Sequence, residues 1–381
     1  MSNQPALDPG FTTPEMASIW TAERRVGAIL RFEAALALGL AEAGLAPEDE
    51  AQAVAAACAR PLADPDLALS SAWASGTPLI GILDEVRGRL TDDGSARWLH
   101  YGATTQDAVD TAQMLQARDG LTALEGSLAR IAGSMHGLIE AYRDQPQIGR
   151  TFLQHAEPTT FGLRVAMWLD ATLEHVVTLG KARADLALQL GGPVGNRAKL
   201  GDDSDRVVAA VAGHLDLVGT PIAWHTDRTR IWRLVATVEE TVRSMAKIAL
   251  DIALLDQSDT SEVSVRGGGS SSMPGKQNPI DAIRALAAAD ANRGAAAMIT
   301  QARPHELDRA LGSWHVEWFA LPLVFHTAAA ALVAVEGLIG SLRVDSEAMA
   351  SRVSAEARLL DSEVDQQLRA IVSRYEQVLG D

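Results

Sequence analysis

The chain has 381 residues, of which 47% are hydrophobic but only 4% aromatic, and 33 Lys and Arg stand against 49 Asp and Glu for a formal charge of −16. That balance excludes nucleic acid or an anionic membrane as the main partner, since both need clustered cations, whereas a small anionic substrate needs only a few local ones. Ala, Leu and Val dominate the apolar content and favour helix, and the lone Cys58 allows no internal disulfide, which fits a reducing, cytoplasmic setting.

The first residues, "MSNQPALDPG", lack the basic and apolar stretches of a secretory signal. From Pro14 to Ala46 the apolar positions Ile19, Val26, Leu30, Ala34 and Leu38 recur on one helical face, and further helices are expected to about residue 90. Turns at "RPLADPD" and "ASGTP" separate them, and the second offers Ser75 and Thr77 as pocket-lining hydroxyls. Cys58 itself reads as a small apolar helix residue.

Next comes "WLHYGATTQD", where His100 precedes two adjacent hydroxyls, Thr104 and Thr105, at a helix start. Hydroxyls and free N–H groups there suit a carboxylate, although the plainer role of Thr105 is a cap. A long helix is expected over 112–143. The segment "GRTFLQHAEPTTFG" then collects Arg150, Gln154 and His155 ahead of a helix at 160–189, and His155 is the group that moves a proton near neutral pH.

After "AWHTDRTR", Ile231, Leu234, Val238, Val242, Met245, Ala249 and Ile252 alternate steps of three and four, a seam for side-by-side helix packing. Long helices follow at 279–302 and 306–340, the latter containing "FALPLVFHTAAAALVAVEGLIG". Interrupted by Pro322, His326 and Glu336, that run falls short of a clean membrane span and reads as a buried helix. Scattered Asp and Glu along these helices read as solvated faces.

Between two such helices stands "RGGGSSSMPGKQNP", Arg266 to Pro279. Its glycines free the backbone to present N–H groups, Ser270 and Ser271 add hydroxyls, and Lys276 and Asn278 add a cation and an amide. A linker rarely ends in such an ordered Lys-x-Asn-Pro. The whole reads as an all-α chain: a smaller N-terminal helical domain (1–111), an elongated central bundle of five long helices (112–341) and an abbreviated C-terminal helical segment (342–381).

The three polar islands, in this order, resemble the fumarase/aspartase superfamily, whose signature Gly-Ser-Ser-x-Met-Pro-x-Lys-x-Asn-Pro matches Gly269 to Pro279. Within it, "GRTFLQHAEPTTFG", "LALQLGGPVG", "AWHTDRTR" and "ALGSWHVEWFALP" are most similar to the 3-carboxy-cis,cis-muconate cycloisomerases, which act in protocatechuate breakdown. The resemblance implies a homotetramer whose active sites draw the three islands from three subunits, a di- or tricarboxylate substrate, and neither metal nor cofactor. It implies Ser270 as the proton-transfer group with His155 as second acid/base or orienting group, and Thr104, Thr105, Gln154, Lys276, Asn278, His100, Ser271, Arg309 and Thr77 as substrate-binding residues. Four positions depart from the pattern: Phe152 replaces the general-acid histidine of fumarases, Gly275 stands where the cycloisomerases commonly have His, and Leu307-Asp308 replace their His-Glu.

Overall fold

The computed structural model describes residues 7–70, 74, 76–354 and 361–380, so Ser75 lies outside the described residues. In chain order the helices are α1 (Pro14–Ile19), α2 (Ala22–Glu42), α3 (Glu48–Cys58), α4 (Pro65–Ser70), α5 (Leu79–Arg87), α6 (Asp93–Ala96), α7 (Thr105–Tyr142), α8 (Phe161–Ala184), α9 (Ser204–Leu215), α10 (Thr229–Asp256), α11 (Ile280–Thr300), α12 (Ser313–Ser341), α13 (Ser346–Ala350) and α14 (Asp361–Leu379). A hairpin, β1 (Pro146–Thr151) with β2 (Gln154–Thr160), and a two-residue pair, β3 (Val263–Ser264) with β4 (Arg343–Val344), complete it. The fold is all-α, as the composition requires.

Where the sequence reads as one helix from residue 14, the chain breaks at Trp20, because the Thr21 hydroxyl accepts from Arg24 N (3.2 Å) and starts a new helix. Helix α7 begins at Thr105, seven residues before its expected start. Asp107 reaches back to Thr104 N (2.9 Å), which makes Thr104 the cap and Thr105 the first helical residue. At the other extreme, α12 starts only at Ser313, after an irregular stretch that ends at Gly312 with φ +101°.

Helices α7, α8, α10, α11 and α12 run side by side, and their polar contacts fix the register. Helix α8 returns antiparallel to α7, with Arg183 on Glu125 and Thr172 on Met135. Asp110 meets Arg228 just before α10, and Trp168 of α8 meets Asp251 near the end of α10. Helix α12 climbs beside α7, with Trp314 on Asp110 and Glu336 on Arg130, while Asn292 ties α11 to the Val324 carbonyl. The periodic residues of α10, including Ile231, Val238, Met245 and Ile252, are all buried. A second cluster around Phe32, Leu36, Leu40 and Ile82 roots the N-terminal helices on the first turns of α7.

By length and composition α12 is apolar enough to cross a membrane, contrary to the sequence reading, but 67% of its most apolar stretch is buried inside the protein. It continues through Pro322, which removes one backbone donor without ending the helix.

Candidate active site

Helix α7 spans 38 residues, so at about 1.5 Å per residue its first and last turns lie roughly 55 Å apart. The chemistry-bearing residues divide between those two ends. His100, Thr104, Thr105, Thr77 and Arg309 belong to the near end, whereas Gln154, His155, Ser270, Ser271, Lys276 and Asn278 belong to the far one.

Asp107 organises the near end. It is fully buried, and its two oxygens accept from Thr104 N, Gly191 N and Gly192 N (each 2.9 Å) and face His225 Nε2 at 2.7 Å. One carboxylate thus locks the threonine turn to the "GGPVG" and "HTDRTR" loops. One turn further along, Asp110 and Glu317 flank the guanidinium of Arg228, all three buried, and Trp314 Nε1 donates to Asp110 (2.9 Å). Desolvation lowers the pKa of Arg228, but the two carboxylates outweigh it and hold the group charged.

The remaining near-end candidates hang on this frame. His100, held at φ +61°, places Nδ1 2.8 Å from the fully buried Glu33. Burial lowers its pKa, yet Glu33 raises it further, for a net rise. Arg309 Nη2 donates to the Pro193 carbonyl (3.2 Å). The Thr77 hydroxyl accepts from Leu79 N (3.2 Å), and His315 links Gly76, the residue before it, to the Trp314 region.

Sequence reasoning missed Asp107, Asp110, Arg228, His225 and Glu317. The reading of helix carboxylates as solvated faces is overturned for Asp107, Asp110, Glu317 and Asp281, all buried and paired. For Asp107 a signal existed, because Thr104-x-x-Asp107 has capping-box spacing. The others are distant in sequence from their partners.

At the far end, the second island is a β-hairpin. Phe152 and Leu153 form its two-residue turn, both with positive φ (51° and 62°) and exposed at 99% and 69%. Gly149 is required at the adjoining bulge, since a Cβ would lie 2.7 Å from the Glu157 carbonyl oxygen. Arg150 is held by buried Glu262 (2.5 and 3.2 Å), so it braces the hairpin. Gln154 and His155 are exposed, and His155 borders a cavity of about 310 Å³ also lined by Arg150, Arg164 and Arg352.

The third island closes on itself at Gly268 and Asn278, which exchange two backbone hydrogen bonds of 2.8 Å. Gly268 is forced by packing, because a Cβ would come within 2.2 Å of Ile280, and Gly267 likewise by Gln277, whereas Gly269 and Gly275 face open space. Ser270 Oγ accepts from Met273 N at 3.1 Å. Gly275 takes φ +86°, and Lys276 is exposed with no ion pair among the described residues.

A bundle of long helices thus carries a serine whose oxygen accepts from its own loop, with other polar islands at both ends. The family model described as lyase matches residues 10–289, and the chain belongs to this family, within the fumarase/aspartase superfamily. It is 37% identical to the 3-carboxy-cis,cis-muconate cycloisomerase of Pseudomonas aeruginosa, over 92% of this chain and 78% of that protein. It is 33% identical to a nitrosuccinate lyase of Streptomyces davaonensis, over 85% and 71% respectively. The crystal structure of the 3-carboxy-cis,cis-muconate lactonizing enzyme from Pseudomonas putida superposes with a TM-score of 0.84 at 31% identity, covering 99% of this chain and 90% of that one.

Proposed function

We propose that the protein is a carboxymuconate-type cycloisomerase that closes a tricarboxylate diene to a lactone. A substrate carboxylate oxygen adds to the alkene, and the electron pair moves into the neighbouring carboxylate as an aci-carboxylate carrying two negative charges. Ser270 Oγ–H then delivers a proton to the carbon between them. Such a dianion requires fixed donors and cations where the charge develops, a role assigned to Lys276, Asn278, Gln154, Thr104 and Thr105. His155 orients a carboxylate, and Arg309 and His100 favour further negative charge at the near end.

The observation that carries this reading is the Gly267–Pro279 loop. The Met273 N–H already points at Ser270 Oγ, which favours the serine alkoxide that forms when the proton leaves. Because the near-end and far-end groups lie toward opposite ends of α7, a helix about 55 Å long, a site that uses both is assembled between copies, and a homotetramer with each site drawn from three subunits satisfies that demand. The test is the loss of substrate ultraviolet absorbance with 3-carboxy-cis,cis-muconate. Ser270→Ala should lower kcat by about 10³-fold or more with the circular-dichroism spectrum unchanged, and an inactive, well-folded wild type overturns the reading.

A second reading, a lyase that eliminates a substituent from succinate to release fumarate, is favoured by Gly275 and Leu307-Asp308 and by the similarity to nitrosuccinate lyase. Fumarate formation from substituted succinates, without lactonisation, would establish it.

A further inference from the structure

A pocket of about 500 Å³ opens between the start of α2 and the first half of α12. Its walls include Trp20, Arg25, Gln113, Gln116, Trp318 and Phe319. Gln113 and Gln116 follow Thr105 by eight and eleven residues, which places them about 12 and 16 Å along α7, so the pocket lies one to two turns beyond Asp110 and adjoins the near-end cluster through Glu317 and Trp314.

Unpaired polar atoms concentrate here. Nε and Nη2 of Arg25, the indole nitrogens of Trp20 and Trp318, and Oε1 of Gln113 and Gln116 are all buried, and no group among the described residues bonds to them. Buried groups without partners are uncommon in folded proteins, and six on one wall call for a cause. Burial lowers the Arg25 guanidinium to about 10, which leaves it charged at neutral pH. Asp8 also lines the pocket, but its Oδ1 accepts from Gly10 N (2.8 Å) and it forms no ion pair with Arg25.

These atoms specify a ligand. Nε and Nη2 form one edge of the guanidinium, which matches the two oxygens of a carboxylate. Trp20 packs on Phe325, and Trp318 on Trp314 and His315 with Arg25 over its ring, so the ring left open to a planar ligand is Phe319, 59% exposed. Each glutamine spends its nitrogen on a carbonyl, Gln113 on Glu317 O (3.4 Å) and Gln116 on Ile19 O (2.9 Å), so each presents an oxygen that requires a donor.

We propose that this pocket binds an aromatic monocarboxylate bearing a hydroxyl, with its carboxylate on Arg25 and its O–H donated to Gln113 or Gln116. The occupant is a small molecule because the recess, about 500 Å³, is of the size that takes one.

The test is titration of the intact protein with 4-hydroxybenzoate, followed by tryptophan fluorescence and by melting temperature. The expected result is a fluorescence change from Trp20 and Trp318 and a rise in Tm of about 2 °C at saturating millimolar ligand. Benzoate, which lacks the hydroxyl, should bind more weakly. Arg25→Met should weaken 4-hydroxybenzoate binding about tenfold or more while gel-filtration size and helical content stay unchanged. Should Arg25→Met fail to fold, Gln116→Leu replaces it, with the expected loss of preference for 4-hydroxybenzoate over benzoate. Unchanged affinity in the variants overturns the proposal. So does a wild type that shows no response, or an Arg25→Met chain that changes oligomeric state, because a second copy then covers the pocket. None of these readings depends on enzymatic activity, so they stand or fall apart from the cycloisomerase assignment.

Discussion

Asp107 shows how one buried side chain locks the loops of the near end together. Three backbone amides converge on its carboxylate with His225, so an amide at that position presents hydrogens to donors and strands at least one buried N–H. Asp107→Asn is therefore expected to cost about 3 kcal/mol of stability, read as a lower urea midpoint at unchanged m-value. His100 supplies a pH signature. Its pKa is raised above the ordinary 6.5 by Glu33, so its contribution is fully present below that value and is lost as pH climbs through the folded pKa. Urea midpoints of the wild type should fall across that window, and His100→Gln should remove the slope. The sequence displayed the threonines, the histidine and the serine loop because each breaks a helical pattern. It concealed Asp110, Arg228 and Glu317 because their residue types are those of a solvated face, and only the packing of α7 against α10 and α12 buries them.

At the scale of elements, legibility followed periodicity. Helices with alternating three- and four-residue apolar steps announce themselves, and α10 lies where its seam predicts. The hairpin did not, because its turn is Phe-Leu, whereas two positive-φ turn residues normally call for Asn-Gly. Left-handed conformation costs a branched or aromatic residue about 1–2 kcal/mol, and both side chains are left in solvent on the single chain. In the proposed assembly the tip reaches another copy's site. Replacing Phe152-Leu153 with Asn-Gly should thus raise Tm by about 2–4 °C while lowering kcat/KM. A variant that gains stability and keeps full activity removes the tip from the site.

The whole molecule carries apolar residues that one chain leaves uncovered. Met167 and Val177 on α8, Trp232 and Leu250 on α10, and Ile283 and Met298 on α11 are each at least 38% exposed, along the same long helices that build the core. These residues fit the assembly proposed above, in which copies of the same bundle would cover them. If assembly also completes the site, two defective chains should repair one another. Ser270→Ala removes the far-end serine and Thr105→Val a near-end hydroxyl, and each variant alone should be nearly inactive. Unfolding and refolding an equal mixture lets subunits assort at random. A site that takes Ser270 from one subunit and Thr105 from another is then intact in about a quarter of cases. Recovery near a quarter of wild-type activity in the mixture, against none when each variant is refolded alone, is the expected outcome. If both groups served from one chain, every site in the mixture would stay defective and no activity would return.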